Sequence, residues 1–350
     1  MTSRLSPGDG RIVCATDNLR RALFEEVAFS YPLKLLVPKQ VVAKRRDLQH
    51  VQSIYVISYG GGLVAGDRVR LKVEVRSGTT LVMLTQGSTK VFRTRPDRYL
   101  SAPSFITPSS STEQLYRLSV SPSSLLVLLP SPVTCFSRSR YNQRQVVHLA
   151  DETSSVLLLD WYTSGRMGMD DKEKGKGAES WEFERYESVN EVWAGGRRIA
   201  KDALVLEDED PPGPKVESEG QNVRLYSADG SASPLPAQPS AAKPPQHATT
   251  YSSRVSPYTC YCTLFLFGPH TAPLLASLQR TFTSITQYKQ SRPYSLVWSY
   301  SPLQGHPGGG GIARAAGATT EEVKEWVVHV LEEGGIAGLV GEDSWKTAFN

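Results

Sequence analysis

Residues able to do chemistry gather in a few short stretches. Residues 60–67 read GGGLVAGD and follow the strand-like run VQSIYVISY. A strand that ends in glycines is how many phosphate-binding loops begin. Gly61 and Gly66 have the spacing of G-x-x-x-x-G-K-S/T, but Asp67 stands where the lysine belongs, and a carboxylate there repels phosphate. A dinucleotide fingerprint drawn through Gly60, Gly62 and Ala65 would have to open a helix, whose N-terminus holds the pyrophosphate. The residues that follow alternate as a strand instead, so both nucleotide readings fall. What remains is a tight turn whose glycines supply positive φ, or a site of another kind, with Asp67 either closing an Asx-turn on its own backbone or serving that site.

Two further stretches are rich in hydrogen-bonding groups. TQGSTKVFR (85–93) puts Thr85, Gln86, Ser88, Thr89, Lys90 and Arg93 at the end of an apolar strand. LLLDWYTSGR (157–166) sets Asp160 and Arg166 about the glycine turn at Gly165. Such groups either satisfy one another where strands end or line a polar path through a β scaffold. Cys260 and Cys262 lie two apart in an apolar strand and share a face, an arrangement that suits two small core residues better than a soft-metal site. His306, in a glycine loop, has the ring to hold a borderline metal but reads as an exposed loop residue, and His329 reads as structural. No G-x-S-x-G, H-E-x-x-H or paired CxxC occurs, and no convincing pair of carboxylates supports a glycosidase.

The elements that must carry these groups are mostly strands. In RVRLKVEVR (68–76), Val69, Leu71, Val73 and Val75 face one way and the charged residues the other. Ser77-Gly78 reads as a hairpin-like turn into TTLVMLTQ. Strands are also expected at 23–29, 52–59, 114–120, 125–129, 145–149, 155–161, 181–186, 189–194, 203–206 and 258–267. Helices are expected near 272–282 and over TTEEVKEWVVHVLEE, where Thr319 and Glu322 fit a capping box and Gly334-Gly335 ends the run. The expected fold class is therefore mainly β, many short strands with about two helices toward the C-terminus. One domain spans 1–350, interrupted by disordered or flexible insertions at 170–180, 207–253 and 304–311, which lack apolar periodicity.

Bulk properties agree. With 350 residues, 39% apolar and 21% charged, the chain is long enough for a substantial core. A net charge of +4 gives no reason to expect nucleic acid or an anionic membrane as partner. Four cysteines, no apolar leader at the N-terminus and no membrane-length apolar run make a reduced, cytoplasmic protein the expectation.

Taken together, the blocks resemble the UreD (also UreH) family of urease accessory proteins. GGGLVAGDRVRLKVEVRSGTTLVMLTQGSTKVFR is similar to its signature: a triple-glycine turn ending in G-D, an alternating strand, a turn, then T-Q-x-x-x-K-x-Y/F-R. YPLKLLVP, LLPSPVTCFSRSRYNQRQVVHLADETSSVLLLDWYTSGRMG, GGRRIAKDALVLE, ARAAGATTEEVKEWVVHVLEE and DSWKTAF resemble further blocks in the same order. Ala65, Leu84 and Cys135 depart from the pattern, Cys135 standing where proline is common. Glu179 is the match to the acid that follows G-R, displaced by the 170–178 insertion. Insertions of this kind resemble eukaryotic, fungal-like members.

The resemblance implies a helix-like wrap of strands in stacked sheets. It implies an assembly factor, not an enzyme, that binds an F-type accessory protein, a G-type GTPase and apo-urease, with nickel in transit and no tightly bound cofactor. On this footing Asp67, Gln86, Asp160 and Glu179 are the expected metal path. Thr85, Lys90, Arg93 and Arg166 form its polar walls, supported by Gly60, Gly61, Gly62, Gly66 and Gly165. The C-terminal helix, through Glu325, Trp326 and His329, is the expected docking surface for the F-type partner. The alternative is an adaptor that clamps urease and the GTPase without a metal path of its own.

Overall fold

The computed structural model describes residues 5–38, 48, 50–93, 111–167, 179–208, 250–285, 294–303 and 308–349. In chain order the strands and helices are β1 (Asp9–Thr16), β2 (Ala22–Phe29), β3 (Leu33–Leu36), β4 (Val51–Ser58), β5 (Gly62–Leu63), β6 (Arg68–Val75), β7 (Thr80–Leu84), β8 (Thr89–Val91), β9 (Thr112–Val120), β10 (Leu125–Leu129), β11 (Val133–Cys135), β12 (Arg140–Leu149), β13 (Ser155–Thr163), β14 (Arg185–Ala194), β15 (Arg197–Leu206), α1 (Tyr251–Val255), β16 (Cys260–Phe267), α2 (Ala272–Thr283), β17 (Leu296–Pro302), β18 (Gly310–Gly317), α3 (Thr320–Glu333), α4 (Ile336–Val340) and α5 (Glu342–Ala348).

The strands form two sheets. The first runs β15-β14-β12-β9-β6-β1-β2; the second runs β17-β18-β16-β13-β10-β7-β4-β3, with β5, β8 and β11 at its side. Inside the first sheet β6, β9, β12 and β14 are parallel neighbours, and inside the second β4, β7, β10 and β13 are. From β4 to β14 the longer strands alternate between the sheets, so the chain coils and each coil adds one strand to each layer. This is the mainly β, helix-like wrap of stacked sheets, with two long helices near the C-terminal end.

Burial explains the two strand patterns. The second sheet is covered on both faces, and LLVLL of β10 and SVLLLDWYT of β13 are buried throughout. The first sheet has one face in water, and RVRLKVEV of β6 alternates accordingly. One core, with Ile12, Leu71, Leu118, Leu126 and Phe265, fills the space between the sheets. A second, with Val82, Val127, Leu157, Leu264, Leu278 and Val327, packs the helices on the outer face of the second sheet.

Several elements differ from the sequence expectation. Ser77-Gly78 is a corner and not a hairpin: β6 and β7 belong to different sheets and do not pair, and Gly78 turns the chain with φ 73°. The expected strands 181–186 and 189–194 are one strand, β14, which begins at Arg185. β1, β3, β5, β8, β11, β17 and β18 are additional. Of the expected loop 304–311, residues 304–307 lie outside the described residues, whereas Gly310 and Gly311 open β18. A Cβ on Gly310 would lie 2.7 Å from the Phe267 ring, and one on Gly311 the same distance from the Tyr300 ring, so these glycines serve packing and not flexibility. Within 207–253, residues 209–249 lie outside the described residues, but Tyr251 begins α1, its N–H donating to Asp208 Oδ1 at 2.6 Å. Of 170–180, residues 170–178 lie outside. The capping box at Thr319 and Glu322 is formed, and Gly335 takes the left-handed conformation after α3.

Candidate functional site

The pleat of the first sheet sends alternate residues of β9, β12 and β14 toward the second sheet. At one level these residues are polar. Gln114 of β9, Gln143 of β12 and Ser188 of β14 are register partners, and Gln145 pairs with Asn190 in the next row. Asp160 of β13 faces them. It is 8% exposed and accepts hydrogen bonds from Gln143 Nε2 (2.9 Å), Ser188 Oγ (2.6 Å) and Asn190 Nδ2 (2.6 Å). Gln145 Nε2 donates to Asn190 Oδ1 at 3.1 Å, and Tyr141 donates to Gln143 Oε1 at the same distance. Beside the carboxylate lies a cavity of about 20 Å³, room for one water, bordered also by Thr85, Thr89, Ser131 and Trp161. Burial pushes the Asp160 pKa up, and its three donors pull it back.

The other residues expected on the metal path lie elsewhere. Asp67 closes the turn before β6: its Oδ2 accepts from Val64 N at 2.9 Å, and its own N–H donates to Val64 O. Burial raises its pKa. Gln86 is exposed in the bend after β7, and Lys90 is exposed on β8. Thr85 is half-buried and accepts from Ser131 N at 2.7 Å. Glu179 is tied to Arg166, whose Nε donates at 3.0 Å and whose Nη2 makes a second hydrogen bond, while Ser137 N donates at 3.2 Å. The Arg166 guanidinium also covers the Phe136 ring at 4.3 Å, and Arg93 adds positive charge near Glu179. The structure thus brings Asp160 and Thr85 to one cavity, and holds Asp67, Gln86 and Glu179 in separate surroundings.

The glycines have separate tasks. Gly60 and Gly61 both take φ 74° with open space around them, and Gly66 takes φ 84°. Gly62 is extended, but a Cβ there would lie 2.6 Å from Lys90 O, so the third glycine lets β5 reach β8. The strand β6 follows, not a helix, which removes the phosphate loop on geometry as well as on sequence. Cys260 and Cys262 are buried, and burial pushes the Cys260 thiol up to about 12. Among the described residues no group of three or more His, Cys, Asp and Glu could hold a metal ion, and no helix is long and apolar enough to cross a membrane.

The Arg166–Glu179 pair allows a prediction. The arginine's hydrogen bonds hold the Glu179 carboxyl below its ordinary range. A lowered folded-state pKa contributes stability above the unfolded value of 4.5, and that stability is lost as pH falls through the lower folded value. Arg166→Ala should cost about 2 kcal/mol at neutral pH in denaturant titration, since it strands a largely buried carboxylate. The difference from wild type should shrink as the pH is taken below about 4.

The family model described as UreD urease accessory protein matches residues 7–224. The chain belongs to the UreD family. It is 36% identical over 347 residues to urease accessory protein 4 of Cryptococcus neoformans var. grubii, covering 98% of this chain and 95% of that one. It is 31% identical to the urease accessory protein UreD of Sorangium cellulosum, covering 96% and 82%, and 37% identical to urease accessory protein D of Arabidopsis thaliana, covering 47% of each.

In this UreD protein Ala65, Leu84 and Cys135 are buried, at 3%, 1% and 2% exposed. The polar residues that sequence reading passed over are Gln114, Gln143, Gln145, Ser188 and Asn190. Their signal is a strand face that changes from polar to apolar along its length: Tyr141, Gln143 and Gln145, then Val147 and Leu149.

Proposed function

We propose that this urease accessory protein helps deliver nickel to apo-urease, acting with the F-type accessory protein and the G-type GTPase in the cytoplasm, and is not itself an enzyme. The observation that carries the reading is Asp160, a carboxylate buried between two sheets among amides and hydroxyls beside a cavity. Burying such a charge costs desolvation free energy that its three donors only partly offset. Nickel is cargo here and not a resident cofactor. Oxygen ligands hold it less tightly than Cys and His would, which suits a step that must release it. Asp67 stands on the inward parity of β6, one pleat beyond Val69, the register partner of Gln114, and so is assigned to a mouth of the passage. Gln86 and Lys90 mark its exposed rim, and the Arg166–Glu179 pair its other end.

The face of α3 assigned to the F-type partner is formed by Glu325 and His329, both exposed. Trp326 turns inward against Trp298, with ring centroids 5.7 Å apart, and supports that face from below. The test is reconstitution from purified apo-urease, the F- and G-type proteins, GTP and nickel. Urease activity should depend on adding this protein; equal activation without it would refute the proposal.

A further inference from the structure

The pleat that turns Gln145 and Asn190 toward Asp160 turns their chain neighbours outward, onto the wet face of the first sheet. Register sets three rows there, each running β6-β9-β12-β14-β15. The first is Arg70, Leu115, Arg144, Val189 and Ala203. The second is Lys72, Arg117, Val146, Glu191 and Lys201, and the third Glu74, Ser119, His148, Trp193 and Arg198. These rows hold six cations and only two acids.

Neither acid offsets the surplus at the surface. Glu74 is already paired with Arg11 at 2.9 Å, from the neighbouring β1. Glu191 is 4% exposed and lies beneath its partners. It accepts from Arg144 Nη2 and from Trp193 Nε1, both at 3.1 Å, and Arg198 Nη1 stands 3.8 Å away. The Arg144 and Arg198 side chains remain about half exposed, at 57% and 46%. Lys72, Arg117 and Lys201 are exposed, and none has an ion-pair partner among the described residues. Between these cations lie half-buried apolar side chains: Leu115, Val146, Val189 and Trp193. The Arg198 guanidinium covers the Trp193 ring at 5.7 Å, and His148 stacks with that ring at 6.1 Å.

An apolar centre with a charged rim is the anatomy of a protein-binding surface. Nucleic acid would meet such a face through its phosphates and leave the apolar centre uncovered. Backbone groups within the sheet are committed to the ladders, so an occupant meets side chains alone and must satisfy its own backbone. A helix does so. Five strands span about 19 Å, the length of about 13 helical residues.

We propose that this face binds an acidic amphipathic helix of a protein partner, with the apolar side of the helix on Val146, Val189 and Trp193 and its carboxylates on Lys72, Arg117 and Lys201. The face lies across the first sheet from Asp160, so the proposal does not rest on the nickel passage.

The test is fluorescence anisotropy with the full-length protein and a labelled leucine–glutamate peptide designed as an amphipathic helix. Wild type should bind it, and the affinity should fall as salt is raised. The triple charge reversal Lys72→Glu, Arg117→Glu and Lys201→Glu should weaken binding about tenfold or more. A peptide with the same glutamates and serines in place of the leucines should also bind wild type about tenfold less tightly. Failure of wild type to bind the peptide, or equal affinity in the triple variant, overturns the proposal. Should the triple variant fail to fold, equal affinity for the serine peptide overturns it instead. A labelled oligonucleotide of the same charge that binds more tightly than the peptide overturns it in favour of nucleic acid. Urease activation is not the readout, so an Asp160 variant that still activates urease counts against the passage and leaves this surface standing.

Discussion

Asp160→Ala is expected to lower the unfolding free energy by about 3 kcal/mol, because it leaves the buried donors of Gln143, Ser188 and Asn190 without their acceptor. Denaturant titration at neutral pH measures it. The pH dependence has a definite sign. Burial raises the Asp160 pKa above its ordinary 3.8, so its protonation favours the folded state. That contribution is complete below the unfolded pKa and is lost as pH rises through the raised folded value. Asp160→Asn cannot titrate, so wild type should lose stability relative to it on passing from about pH 3 toward neutral. A buried carboxylate with this profile weakens the fold at working pH, which is the expected mark of a group retained for function.

Gly165→Ala is expected to be at least as damaging, by about 3 kcal/mol or more. Gly165 has φ 135°, and a Cβ there would lie 2.5 Å from Glu179 O and 3.4 Å from Cys135 O. Both contacts are to backbone, so relief requires moving the chain that presents Glu179 to Arg166. Thermal unfolding should fall by about 5 °C or more. An unchanged midpoint would show that the turn can relax without cost. Gly60→Ala, with the same need for positive φ but open space around it, should cost less.

Much of the architecture is legible because burial leaves a period in the sequence. The alternation of β6 and the unbroken apolar run of β10 distinguish a sheet with one wet face from a sheet covered on both. The capping box of α3 is legible for a similar local reason. Which strands pair is not legible. Ser77-Gly78 has the residues of a hairpin but serves a corner between sheets, a difference set by distant partners on β1, β9, β4 and β10. Likewise Gly310 and Gly311 read as loop until the Phe267 and Tyr300 rings that exclude a Cβ are in place.

The candidate site is legible in part. Asp160 stands out as an acid in an apolar strand. Its partners do not, because Gln143 and Asn190 occupy ordinary strand positions and matter only where two sheets face each other. Asp67 draws notice as an acid beside a glycine and Glu179 only through the family resemblance, and each has a local partner that accounts for it, the Val64 N–H and the Arg166 guanidinium.

The most direct test of the central claim is nickel-dependent urease activation in cells that lack the native protein and carry either wild type or Asp160→Asn. The variant keeps the volume of the side chain and removes its charge. The account predicts that Asp160→Asn still co-purifies with the F-type and G-type proteins and apo-urease but yields about tenfold less active enzyme at limiting nickel. Activation equal to wild type at every nickel concentration would contradict it.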